Sequence, residues 1–236
     1  MVYNNQMKII FLNAWQGKAD GIKEFIFDQL IDTDIFCFQE SLSLDQSKIF
    51  CLDWLKDYQY FFDKKQLSED DEFANCTFVH KKHSVTDTQT IGQGDLTVGL
   101  GLYNQIKTTD NRIINLCNVH GHARPGDKQD NPARLHQSKL IIDFFRNISS
   151  PKIIGGDFNL DLNIKSVTMF EENGYKNLIK EFNIPTTRNE IAWAQFKNKQ
   201  LYADFVFVSP GVKVNEFLVP NVKISDHLPM ILKVEI

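Results

Sequence analysis

The stretch Pro151–Leu160, PKIIGGDFNL, sets two glycines, an aspartate and an asparagine at the end of an apolar run. Lys152 to Ile154 read as the start of a buried strand. Gly155 and Gly156 then bring no side chain to pack, and Asp157 and Asn159 follow with only Phe158 between them. Asp and Asn open turns, and glycine lets the backbone turn sharply. A carboxylate fixed at a strand end beside an amide can also grip an attacking water. The same signature recurs along the chain. Asn13 closes MKIIFLN, Glu40 closes TDIFCFQE, Asn118 and His120 close INLCNVH, Asp204 opens DFVFV, and Asp226 and His227 precede LPMILKV. Any one of these starts a turn or sits in solvent without further meaning. Strand ends in packed sheets share one rim, however, so a repeated polar exit can converge on one site.

The apolar runs MKIIFLNAW, TDIFCFQE, FANCTFVHKK, LTVGLGLYNQI, RIINLCNVHGH, KIIGGDFN, YADFVFVSP and LPMILKVEI predict strands. DGIKEFIFDQLID and LDQSKIFCLDWLKD predict helices, and VTMFEENGYKNLIKEF one or two short ones. The clearest helix start is Asn131 as N-cap with Pro132 in the first turn, followed by Leu135, Ile141, Ile142, Phe145 and Ile148 at helical spacing. Such a mixture predicts two sheets packed face to face with helices outside. No repeat, low-complexity segment or Pro/Gly-rich linker marks a boundary, so residues 1–236 are expected to form one domain.

Composition narrows the function classes. The hydrophobic fraction of 42% and charged fraction of 24% are those of an ordinary globular protein. A formal charge of −4 argues against tight, sequence-independent coating of nucleic acid, which needs many basic residues to displace counterions. A local basic groove is compatible with it. Cys37, Cys51, Cys76 and Cys117 lack Cys-x-x-Cys spacing, which argues against zinc, and Cys37 and Cys117 sit in strand-like runs as inert thiols. No apolar run is long enough for a membrane span or a signal peptide, so a cytoplasmic protein is expected.

The segments NAW at Asn13, FQE at Glu40, NVHG at His120, GGDFN at Asp157 and Asn159, ADFVFVS at Asp204 and SDHLP at Asp226 and His227 occur together in one order. In that order they resemble the endonuclease/exonuclease/phosphatase superfamily, which includes deoxyribonuclease I, exonuclease III, sphingomyelinases and inositol polyphosphate 5-phosphatases. The segment HGHARPGDKQDNPARLHQ departs from the best-known nucleases and is similar to uncharacterised bacterial members. The resemblance implies a four-layered α/β sandwich, two mainly antiparallel or mixed sheets flanked by helices, and a divalent-metal-dependent phosphoesterase acting by water attack. It implies Glu40 as a Mg²⁺ ligand, with Asn13 and Asp226 holding the metal or its waters and Mn²⁺ able to substitute. Asp157 is then expected to orient or deprotonate the water, and Asn159 to donate to the phosphate. Asp204 would orient His227 as an imidazolium on a phosphate oxygen, and His120 would contact phosphate or protonate the leaving group. Asn75 either resembles a position near the substrate groove or is a plain strand residue. Arg124 and Lys128, in the loop after His120, either meet substrate phosphate or are simply solvated, and Arg134 pairs with a neighbour. A nuclease acting on DNA or RNA, and a catalytically inactive phosphate-binding module, are the alternative readings.

Overall fold

The computed structural model describes residues 6–41, 54–68, 71–149, 151–195 and 199–235. Most of the helix expected over LDQSKIFCLDWLKD lies outside the described residues. Among the described residues, twelve strands form two six-stranded sheets. The first contains, in spatial order, β11 (Lys213–Leu218), β12 (Met230–Glu235), β1 (Gln6–Asn13), β2 (Ile35–Gln39), β4 (Asp71–His80) and β3 (Tyr58–Ser68). The second contains β5 (Ser84–Ile91), β6 (Leu100–Lys107), β7 (Ile113–His120), β8 (Lys152–Asp157), β10 (Asp204–Val208) and β9 (Lys176–Asn177).

The two sheets share one plan. Each has a single parallel pair at its centre, β1 with β2 and β7 with β8, and every other pairing is antiparallel. A parallel pair needs a crossover, and α1 (Ile22–Gln29) and α2 (Pro132–Phe145) lie in those two crossovers. The carboxyl ends of the parallel pairs are therefore equivalent places in the two halves. Asn13 stands beside Gln39 in one register, and His120 beside Asp157 in the other. Two mixed sheets with helices on their outer faces make the four-layered α/β sandwich expected from the sequence.

Side-chain alternation explains why the central strands read as continuous apolar runs. Along β1, Met7, Ile9 and Phe11 enter the core shared with the second sheet, whereas Ile10 and Leu12 pack outward with Ile22 and Ile26 of α1. The glycines in GGDF answer to the same packing. A Cβ on Gly155 would stand 2.8 Å from the Phe11 ring, and one on Gly156 would stand 2.2 Å from the Val119 carbonyl oxygen. Gly156 also has φ +133°, a conformation that L side chains rarely adopt. The glycines let the facing sheet and the neighbouring strand close in, and that approach delivers Asp157 to the rim. Cys37 and Cys117 are buried free thiols, as their setting suggested, and Cys76 is a third, all with pKa values raised by burial.

Amides stitch the sheets together. Asn118 Nδ2 donates to the carbonyls of Phe38 and Cys76 (both 3.1 Å), and Gln39 Nε2 donates to Asn118 Oδ1 at 2.6 Å. Asn75, expected near the substrate groove, belongs to this seam instead. It is fully buried, and its Nδ2 donates to the Asn118 and Leu100 carbonyls at 2.8 and 3.3 Å. Its strand position turns the side chain toward the other sheet, where a buried amide must find partners. The run from Leu96 joins the sheet only at Leu100. The carbonyls of Gly92, Asp95, Val98 and Gly99 in the preceding loop gather instead around Lys65 Nζ.

A buried ionic cluster anchors the entrance of β2. Asp34 accepts from the Lys8 amide at 2.8 Å, contacts His83 Nε2 at 3.0 Å and pairs with Lys82 at 2.5 Å. Burial raises the Asp34 pKa, but these donors outweigh it and hold the carboxyl below its ordinary value. The stabilisation is therefore complete above the unfolded carboxyl range, near about pH 4, and is lost as pH falls through the lower folded value. Asp34→Asn is expected to lower the unfolding free energy at pH 7 by about 1–3 kcal/mol and to flatten its decline in acid. Urea titrations at pH 7 and pH 3 give both quantities; an unchanged acid slope in the variant would remove Asp34 from this role.

Candidate active site

The polar strand exits meet in a cleft of about 750 Å³ at the rim shared by the two sheets. Glu40, Asp157, Asn159, Asp226 and His227 line it, together with Trp15, Arg124, Lys128 and Arg188. Asn13, His120 and Asp204 lie buried beside these residues.

Asp157 is the centre of the arrangement. It is 1% exposed, at the end of β8. Asn13 Nδ2 donates to its Oδ2 at 2.9 Å and to Glu40 Oε1 at 3.0 Å, so one amide from the first sheet steadies carboxylates from both. The Asn13 side-chain oxygen Oδ1 accepts from the Trp15 backbone N–H at 3.0 Å, which fixes the orientation of the side chain. Asn159, at φ 55°, donates to Asp157 through its backbone N–H (2.8 Å) and its Nδ2 (3.2 Å), and Nδ2 also donates to the Gly121 carbonyl at 3.1 Å. Burial pushes the Asp157 pKa up, but His227, Lys128, His120 and Arg188 together bring it down to about 2. Asp157 is thus ionised throughout the physiological range.

A second group is built on β10. Asp204 pairs in register with Asp157, and His227 Nδ1 stands 2.9 Å from both Asp204 oxygens. The far ring nitrogen, Nε2, is 3.7 Å from Asp157 Oδ2. Burial and the neighbouring Asp157 charge raise the Asp204 pKa. Burial and Arg188 depress His227, yet the carboxylates of Asp204, Asp157 and Asp226 outweigh them and raise it overall. Arg188 Nη1 lies 2.7 Å from Nε2, and the direction of that contact follows the protonation of the ring. His120 differs. It is 4% exposed, packs edge-on against Phe73 at 4.7 Å, and burial lowers its pKa despite nearby carboxylates. Its Nδ1 has no hydrogen-bond partner among the described residues.

One oxygen each from Glu40 and Asp157 and a ring nitrogen of His120 lie within 4.8 Å of one another. Two hard carboxylate oxygens at a cleft wall fit a small divalent cation. Asp226 stands apart from that group: Arg188 Nη2 donates to its Oδ2 at 3.0 Å.

The two loop cations diverge. Arg124 is exposed at the cleft wall, whereas Lys128 is 5% exposed and donates from Nζ to Asn159 Oδ1 at 2.7 Å. Burial lowers the Lys128 pKa to about 8, against the pull of Asp157 and Asp204. Arg134, 1% exposed on α2, holds this loop by donating to the carbonyls of His122, Ala123, Pro125 and Gln129 and to the Asp127 carboxylate. Its role therefore extends beyond the single neighbour expected from the sequence. Arg188 had no sequence signal beyond a charge in the turn-rich PTTRNE. Tertiary contacts bring that segment to the site: the bridge between Arg188 and His227, the bond from the Leu228 amide to the Thr187 carbonyl, and the Asp204 amide donating to the Thr187 hydroxyl.

The model of the Endonuclease/Exonuclease/phosphatase family matches residues 10–227, and the chain belongs to that family. No curated protein matches it significantly. Among solved structures it is similar to an endonuclease/exonuclease/phosphatase family protein from Bacteroides thetaiotaomicron, at 18% identity and TM-score 0.76, covering 97% of both chains. A mannosyl-6-phosphatase from the same organism gives 19% identity and TM-score 0.73, covering 97% of this chain and 99% of that one. The human Nocturnin catalytic domain with bound sulfate gives 17% and 0.72, with coverage of 98% and 94%. Members of the family are hydrolases of phosphoester bonds. No helix among the described residues is long and apolar enough to cross a membrane.

Proposed function

We propose that this chain is a divalent-metal-dependent phosphoesterase that cleaves a small phosphoester by direct attack of water. The supporting observation is Asp157, ionised at the cleft floor between Asn13 and Asn159 and surrounded by Lys128, Arg188 and two histidines. A carboxylate with so low a pKa is a poor base for free water. Asp157 instead orients the nucleophile and takes its proton as the new P–O bond forms. Lys128 and Arg188 receive charge on the phosphoryl oxygens, and Asp204 keeps the His227 ring aimed at the cleft. His120 is neutral in the free protein, and a bound phosphate would favour its protonation, which suits donation to the leaving oxygen. Mg²⁺, held by Glu40 and Asp157, would neutralise phosphate charge.

A metal-supplemented screen over DNA, RNA, abasic DNA, nucleotides, sphingomyelin and inositol phosphates tests this reading. Release of product from none of them would overturn it. Substrate size is testable in the same assay. With 26 basic against 30 acidic residues, the chain offers little to a long polyanion. The acidic run Ser68–Glu72 lies partly outside the described residues. Catalytic efficiency is expected to be higher on a small ester than on plasmid DNA, with duplex binding weakening steeply between two salt concentrations. Tight, processive cleavage of long duplex at physiological salt would reverse that preference in favour of a nuclease.

A further inference from the structure

Two buried cations and a wall on one side shape this cleft. Lys128 reaches the cleft floor with one hydrogen-bond partner, the neutral Asn159 oxygen, and has no carboxylate within ion-pair distance among the described residues. A desolvated ammonium with so little compensation favours an arriving anion. Arg188, 3% exposed, supplies a second positive charge and is steadied by Asp226 and His227. Both terminal nitrogens meet those two residues, so the guanidinium offers an arriving phosphoryl oxygen a fixed, oriented charge at the cleft wall. From Asp157 the two cations lie on separate branches, Lys128 through Asn159 and Arg188 beside His227.

The wall is formed by Gln200. Its Nε2 donates to the Gly126 carbonyl, joining the loop that carries Arg124 and Lys128 to the segment before β10. Lys128 and Gln200 line both the cleft and a separate hollow of about 220 Å³, so they form the partition between the two. On another side the cleft adjoins a groove of about 610 Å³, and Arg124 and Pro125 line both.

We infer that the site takes a terminal phosphate, a phosphomonoester, with its alcohol portion lying past Arg124 and Pro125, and that Lys128 and Arg188 select it over an internal diester. This rests on the phosphoesterase reading above. A monoester dianion offers three free oxygens and two charges to two cations, and it needs a single exit. A diester offers two free oxygens and one charge, and its second substituent would meet the Gln200–Gly126 partition. In the reaction, the oxygen of water bonds to phosphorus as the bond from phosphorus to the alcohol oxygen breaks. One water proton ends on that oxygen, and the products are the alcohol and inorganic phosphate.

The test has a turnover arm and a binding arm. With saturating Mg²⁺, p-nitrophenyl phosphate is expected to exceed bis(p-nitrophenyl) phosphate in kcat/KM by at least about tenfold. Lys128→Met and Arg188→Met should each lower monoester efficiency by about 30-fold or more, chiefly through KM, and diester efficiency by only a few-fold. Arg188→Lys should recover part of the loss, and Gln200→Ala should shift the ratio toward the diester. Calorimetry forms the second arm: inorganic phosphate should bind the parent, bind Lys128→Met and Arg188→Met more weakly, and outcompete dimethyl phosphate. Equal or better turnover of the diester, or equal losses on both esters in the variants, would overturn the inference. If no ester is turned over, the phosphoesterase reading fails, and the clamp then stands or falls on binding. Dimethyl phosphate binding as well as phosphate, or phosphate binding unchanged in both variants, overturns it in that case. Lys128→Met removes a buried charge and leaves the Asp226 and His227 contacts intact, so it keeps the test open if Arg188 variants misfold.

Discussion

Asp157→Asn is expected to lower turnover by about two to four orders of magnitude, the usual scale for a positioned acid or base, without unfolding the protein. The substitution preserves size and keeps an oxygen for the Asn159 backbone N–H, while its amide nitrogen replaces the oxygen that accepts from Asn13 and Asn159, so the loss combines the charge with those two hydrogen bonds. Because the carboxyl is held at about 2, its loss is expected across the whole working pH range and is not recovered in alkali. His227→Ala should cost turnover on the same scale by a different route, since the ring links Asp204 to the cleft and meets Arg188. The two groups serve one transition state, so the double variant should lose less than the product of the single losses. Initial-rate measurements on any accepted ester, with circular dichroism to check folding, decide the matter. Near-parental rates in either single variant would place the chemistry elsewhere.

Removing divalent metal is expected to abolish turnover, and Mg²⁺ or Mn²⁺ should restore it. Glu40 is the half-buried carboxylate that leans from the first sheet toward Asp157 and His120, held by Asn13. Its backbone is left-handed, at φ 47°, and its carbonyl accepts from the Gln16 amide, so the turn itself aims the side chain. Glu40→Gln keeps the shape but removes the charge. It should raise the Mg²⁺ concentration for half-maximal activity by on the order of 10–100-fold, with a parallel loss of Mg²⁺ affinity in calorimetry. Full activity in excess chelator would show that the cleft works without a metal.

The legible and the hidden parts of the fold divide by position in the sheets. Every inner strand, from β1 to β12, is an apolar run that the sequence displays, because each is covered by neighbours. The strands that escaped notice, β3, β5, β9 and β11, are the four sheet edges. SVTDTQTI and KVNEFL are half-exposed and carry the polar residues that edges use against unwanted pairing, so no continuous run marks them. The site divides in a similar way. Residues at the ends of inner strands, Asn13, Glu40, His120, Asp157 and Asp204, could be found because strand and motif coincide. Arg188 could not, since its placement depends on a tertiary bridge to His227. Lys128 was visible only as a loop charge, and its burial follows from the network that Arg134 spreads through that loop. Asn75 and Asn118 show the converse. Their polarity within buried strands resembles chemistry, and the sheets use it to join each other.

The shared plan of the two sheets also bears on when the protein can first work. Asn13 must meet Asp157, and the Ser225 hydroxyl donates to the Asn13 carbonyl at 2.7 Å beside Asp226 and His227. Residues synthesised more than two hundred positions apart thus complete one another, and β1 gains its antiparallel neighbour only from β12. A ribosome-bound chain lacking the segment from Asp204 to Glu235 has neither the His227 ring nor that neighbour. Such a nascent chain is therefore expected to be silent however much of the second sheet has formed, and regain of activity during refolding is expected to require the joining of both halves.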